Sequence, residues 1–116
     1  ESCMEKGLGK IIGVLNADKK LIACGFFIRQ FNRDILIYNT SDKNHKESHG
    51  MTFLIDSYIK ENVQRDAVLD FEGSNLPGVF RFYQGFGAIE NNYLLIKSKY
   101  SGFAKLFNFN RGAFWV

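Results

Sequence analysis

The sequence has no apolar run near the ~18 residues that a membrane-spanning helix needs, so no membrane span is expected. It carries no secretory-leader pattern. Cysteine is scarce: Cys3 stands near the start and Cys24 inside an apolar stretch. Thiols in such unlike contexts make no disulfide framework. Cys24 reads as a free buried thiol, which fits a reducing, cytoplasmic compartment. Histidine is equally scarce. His45 and His49 share a polar loop without a constellation of Cys, Asp or Glu at metal-ligand spacing, so they read as solvated side chains. No zinc signature and no Ser–His–Asp arrangement can be assembled. Clustered charge is missing too: Lys and Arg are dispersed, with no run of five, so DNA binding is not expected. The net charge of +3 would still suit a phosphate-bearing ligand.

What is present is enough for one core. A chain of 116 residues is a common size for a single domain, and its 12 Phe supply large buried area for so short a chain. There is no internal repeat and no low-complexity segment. The chain opens "ESCMEKG", without Met, and a cut piece of a longer protein is the expectation.

The first forty residues read as three strands joined by short polar turns, an antiparallel meander. Ile11 to Leu15, Leu21 to Gln30 and Ile35 to Tyr38 are the apolar runs, with "NADKK" and "FNRD" between them. Gly25 inside the second strand marks a bulge or a close backbone approach. After the polar loop "SDKNHKESHG", Met51, Leu54, Ile55, Tyr58, Ile59 and Val63 keep the spacing of one helix face, ending around Gln64–Asp66. "AVLDF" then reads as a short central strand. With a helix between, it should run parallel to the strand before that helix. A short helix follows from about Pro77 to Gly85, with proline suited to the first turn and Gly85 and Gly87 ending it. "NNYLLIKSK" reads as another strand, and "SGFAKLFNFNRGAFWV" is ambiguous between helix and strand. The expected fold is α+β: a mixed, mainly antiparallel sheet of about 5–6 strands with two helices, in the order β-β-β-α-β-α-β.

The stretch "LDFEGSNLPGVFRFYQGFGA", residues 69–88, puts carboxylates, Ser and Asn where a strand becomes a helix, and ligands of open α/β sheets gather at such strand ends. Asn75, Tyr83 and Gly87, with Phe82 before the Tyr, resemble the N-acetyltransferase (GNAT) superfamily, in which an Asn ends this strand, a Tyr follows in the next helix and a Gly stands four residues on. "LDFEGS" resembles the Fem-like branch, the peptidoglycan-bridge aminoacyltransferases, whose strand typically closes in an Asp-Phe-x-x-Ser-like sequence. The resemblance covers roughly residues 11–98. Only about ten residues precede the meander, where a whole domain of this fold has a strand and two helices. "NHKESHGM", with one Gly, stands where the superfamily has an Arg/Gln-x-x-Gly-x-Gly/Ala pyrophosphate loop; Fem-like relatives share a degenerate loop.

The resemblance implies an acyl or aminoacyl transfer from acyl-CoA or aminoacyl-tRNA to a small-molecule or peptide amine, with no permanently bound cofactor. Tyr83 would be the general acid for the leaving group, and the alternative is a core aromatic among Phe80, Phe82 and Phe86. Asp70 and Glu72, two apart on a strand, would share a face and raise each other's pKa values, as suits a general base. Alternatively, Glu72 is solvated and Asp70 braces the turn. Ser74 and Asn75 read as substrate-binding donors or as turn formers. Backbone N–H groups near Phe26 to Ile28, at Phe27 and Ile28 above all, would polarise the acyl carbonyl. Ser48, His49, Gly50 and Met51 open the long helix, whose N–H groups could hold a phosphate, with Ser48 as the cap in any case. The reading from another class is a non-catalytic half-domain, an interaction module whose exposed edges a second copy or a missing N-terminal part would cover.

Overall fold

The computed structural model describes residues 4–73 and 76–92, and the backbone of 113–115. Its first three strands are the meander: β1 Gly9–Leu15, β2 Leu21–Gln30 and β3 Arg33–Ser41, each antiparallel to the next. The β1–β2 turn is built on Asn16, whose side-chain oxygen accepts the amides of Asp18 at 3.0 Å and Lys20 at 2.9 Å. This is the local bonding that favours Asn in turns.

A 3-10 helix, Lys43–Ser48, leads into α1, Gly50–Asn62. Of the predicted helix face, Leu54, Ile55 and Tyr58 are buried against Ala23, Phe27 and Leu36 of the meander. Each such side chain contributes roughly 1.5–3 kcal/mol when fully buried. Tyr58 stacks flat on Phe27 with ring centroids 3.8 Å apart. Gly25 is a close approach: a Cβ there would sit 3.0 Å from Leu54 and 3.1 Å from Phe27. The helix stops at Asn62, before the expected Gln64–Asp66, and Val63 beyond it is exposed.

Strand β4, Val68–Asp70, runs parallel to β3 as the intervening helix requires. Helix α2, Pro77–Gln84, follows with proline in its first turn and Gly85 at its end. Strands β5, Ile89–Asn91, and β6, Ala113–Trp115, complete a sheet ordered β1-β2-β3-β4-β6-β5. The predicted strand "NNYLLIKSK" meets β5 only at Asn91; residues 93–99 of it lie outside the described residues, as does most of the tail. The mixed, mainly antiparallel sheet with two helices is the α+β fold the sequence predicts. Cys24 is a free, half-buried thiol. Among the described residues no helix is long and apolar enough to cross a membrane, and no group of His, Cys, Asp and Glu could hold a metal ion.

Candidate functional site

Strands β3 and β4 pair over only three positions, Arg33–Val68, Asp34–Leu69 and Ile35–Asp70, and then part. Beyond the fork, Leu36 to Asn39 on one side and Phe71 to Gly73 on the other wall a cleft of about 250 Å³, with Tyr83 of α2 at its side. Parallel strands that separate leave facing backbone edges no longer paired with each other, so the cleft is lined by main-chain polar groups as well as side chains.

Tyr83 is buried, its ring stacked on Phe71 with centroids 4.3 Å apart. Its phenol oxygen accepts a hydrogen bond from the Asn39 side-chain amide at 3.2 Å. Burial pushes the Tyr83 phenol above its ordinary pKa, and the Asn39 donor pulls it back in part. The hydroxyl is therefore protonated at neutral pH and available as an acid. Tyr83 is thus both a core aromatic and a cleft residue.

Asp70 and Glu72 do not share a strand face. Strand β4 ends at Asp70, and Glu72 has a left-handed φ of 58° with Gly73 at 68°, so the period of two stops between them. Asp70 is buried, accepts the Glu72 amide at 2.8 Å and pairs with Arg33 at 3.4 Å, which is the turn-bracing geometry. Burial pushes its carboxyl above the usual range, against the pull of the Glu72 amide and Arg33. Glu72 lines the cleft with Tyr83. A non-glycine residue held in the left-handed region beside a cleft is the kind of strain that collects at functional positions. Ser74 and Asn75 lie outside the described residues.

Phe27 and Ile28 are not brought to this cleft. Strand β2 is paired on both edges, with β1 and with β3, and the Phe27 ring is buried under α1. The open backbone edge belongs to β3. A strand inside a meander has no spare edge, and the sequence alone did not identify which strand would fork.

The start of α1 also departs from expectation. Its N-cap is His49, in the left-handed region at φ 49° and with no side-chain cap bond, while Ser48 ends the 3-10 helix. A cavity of about 250 Å³ opens there, lined by His45, Lys46, His49, Gly50 and Met51 among others. Gly50 is buried, and a Cβ on it would lie 3.1 Å from Ile22 and 3.2 Å from Ala23. The glycine thus lets the helix end sit directly on β2. His45 pairs with Asp42 at 2.8 Å rather than standing free in solvent.

Sequence reasoning missed a second cluster, at the closed end of the fork. Asp34 is 2 % exposed. It accepts hydrogen bonds from Tyr58 at 2.8 Å, from Arg29 at 3.2 Å and from Arg65. Burial pushes its carboxyl up, but the bonds from Arg65, Tyr58 and Arg29 outweigh this and hold it below the ordinary range. Tyr58 is pushed up to about 12, by burial and then by Asp34. The signal in the sequence was an Asp opening an apolar strand, with Arg29 and Arg33 just before it.

No family model and no curated protein matches the sequence. Solved structures do match its fold. One is an acetyltransferase of the GNAT family from Staphylococcus aureus Mu50, with a TM-score of 0.65 at 18% identity over 95% of this chain and 68% of that one. The ribosomal-protein-S18-alanine N-acetyltransferase of Escherichia coli gives 0.63 at 14% identity, over 93% and 66%. The spermidine/spermine N-acetyltransferase of Vibrio cholerae gives 0.67 at 14% identity, over 97% and 67%. The chain spans about two thirds of the length of these proteins and has a GNAT-like fold.

Proposed function

We propose that the chain is a GNAT-type acyltransferase that moves an acyl group from an acyl-CoA to a substrate amine. The observation that carries this reading is the fork of β3 and β4 with a buried, protonated Tyr83 at its wall. Acyl transfer needs a slot that aligns a carbonyl beside main-chain donors, and an acid within reach of the leaving thiolate. The amine attacks the carbonyl, the C–S bond breaks, and the thiolate takes the phenolic proton of Tyr83. Glu72, which lines the cleft, supplies a carboxylate to attract and orient the amine. The N-terminus of α1, without a side-chain cap and flanked by Lys46 and His49, suits the phosphates of the donor.

The finer assignment, a Fem-like enzyme using aminoacyl-tRNA, draws support from "LDFEGS" and the single glycine of "NHKESHGM". A non-catalytic module completed by another part of the protein or by a second copy is favoured by one observation. Ile11, Leu15 and Leu21, on β1 and the start of β2, are exposed apolar side chains.

Thermal unfolding with and without acetyl-CoA separates these readings. Donor at about 100 times its dissociation constant adds roughly 2.7 kcal/mol of stability, and Lys46→Glu should diminish the shift. No shift with acetyl-CoA removes it as the donor and leaves the aminoacyl-tRNA or module reading. Gly50 is not a usable probe of binding, because its contacts with Ile22 and Ala23 make any larger residue a packing defect.

A further inference from the structure

The pairing of β2 with β3 runs evenly from Gln30–Arg33 to Ile28–Ile35 and Phe27–Leu36, and then jumps to Phe26–Tyr38. Ile37 is therefore the extra residue of a β-bulge. Side chains alternate along a strand, so one inserted residue exchanges faces for everything beyond it. Asp34 and Leu36, before the bulge, are buried on the face that α1 covers. An even strand would put Tyr38 next on that face. With the bulge, Asn39 stands opposite Gly25, whose missing side chain looks at Leu54 of α1, and Tyr38 is 62% exposed. The slip is what delivers an amide, instead of a second phenol, to Tyr83.

We propose that Asn39 is a positioning residue for proton donation by Tyr83, an inference that rests on the acyl-transfer reading of the cleft. The Asn39 N–H donates to the phenol oxygen at 3.2 Å, so the phenolic O–H is directed away from the amide. When the C–S bond breaks, its electron pair goes to sulfur and the thiolate takes the Tyr83 proton. The O–H electron pair stays on the phenol oxygen, where the Asn39 N–H already points. A donor aimed at the atom on which charge develops is worth more in that step than in the resting state. The proton lost by the amine passes to solvent, and solvent restores the phenol after the thiol leaves. The other titratable groups lining the cleft are Glu72, after β4, and Tyr38 of β3; Phe71 and Phe82 pack on Tyr83 as apolar rings.

The test is a pH titration of the protein carrying ring-13C tyrosine, with the Tyr83 resonance assigned from Tyr83→Phe. Asn39→Ala and the isosteric Asn39→Asp are compared with wild type, the second remaining informative if alanine collapses the cleft. The expected result is that Tyr83 titrates at higher pH in both variants, further in Asn39→Asp, while Tyr58 does not move. In parallel, kcat for acetyl transfer from acetyl-CoA should fall about tenfold with the donor KM little changed. An unmoved Tyr83 resonance overturns the inference whatever the activity, as does a moved resonance with an unchanged kcat. If Tyr83 moves but wild-type protein binds no acetyl-CoA, it is the acyl-transfer reading that fails, and the positioning role falls with it.

Discussion

Asp34 and Tyr83 occupy opposite ends of one pair of parallel strands, and their surroundings differ in kind. At the closed end, where β3 and β4 pair, the Asp34 carboxylate is met by Tyr58, Arg29 and Arg65, and Arg29 also reaches Asn62 at 2.9 Å. At the open end Tyr83 accepts a bond from Asn39 and lines the cleft, and burial pushes the Asp70 carboxyl above its ordinary range. Buried polar groups cost stability unless they are partnered. The closed end meets that condition with a network that ties β2, β3, α1 and the segment before β4 together. The open end instead lines a cleft with Tyr38, Asn39, Glu72 and Tyr83.

The largest effect should come from breaking the closed end. Asp34→Ala strands three donors around a buried position and should cost about 3–5 kcal/mol, read as a fall in the urea midpoint. Tyr83→Phe should do the reverse: acetyl transfer drops on the order of a hundredfold, while stability changes by no more than about 1 kcal/mol. A Tyr83→Phe protein that unfolds but retains its residual rate would erase the distinction between the two ends.

Acid separates the two ends further, because the folded-state pKa values of the two carboxylates are shifted in opposite directions. The folded-state pKa of Asp34 lies below its unfolded value, so its stabilisation is present above the unfolded pKa of about 3.9 and is lost as pH falls through the lower folded value. That of Asp70 lies above, so its ionisation costs stability at neutral pH and the cost is relieved as pH falls through the raised value. Urea midpoints from pH 7 to 3 should therefore show the Asp34→Asn deficit shrinking toward the acid end, while Asp70→Asn loses ground against wild type over the same range. The smallest effect belongs to neither end: Lys60→Ala, which removes the exposed pair with Asp56 at 2.7 Å, should cost less than about 0.5 kcal/mol by the same assay.

The meander, the amphipathic face of α1, the parallel β4 and the proline-led α2 were all readable from the sequence. Each rests on a local pattern: alternation, helical spacing or turn chemistry within a few residues. The Asp34 network was not readable, because its partners come from Arg29, Tyr58 and Arg65, and nothing local connects them. The Ile37 bulge left no mark either, since "ILIYNT" alternates no differently from an even strand, and Asn39 was missed with it. The fork assigned the open edge to β3, where the sequence reading had favoured Phe27 and Ile28 of β2. Asp70 and Glu72 stand two apart in the sequence but share no strand face, because β4 ends at Asp70 and Glu72 turns into the left-handed region.

If the cleft is the binding site, ligand belongs to the open end of the fork. Amide NMR of the protein titrated with acetyl-CoA tests it directly. Shifts are expected at Asn39, Glu72 and Gly73 and at Gly50 and Met51, with Arg29, Asp34 and Arg65 unmoved. Shifts confined to the Asp34 end, or none at millimolar acetyl-CoA, would contradict it.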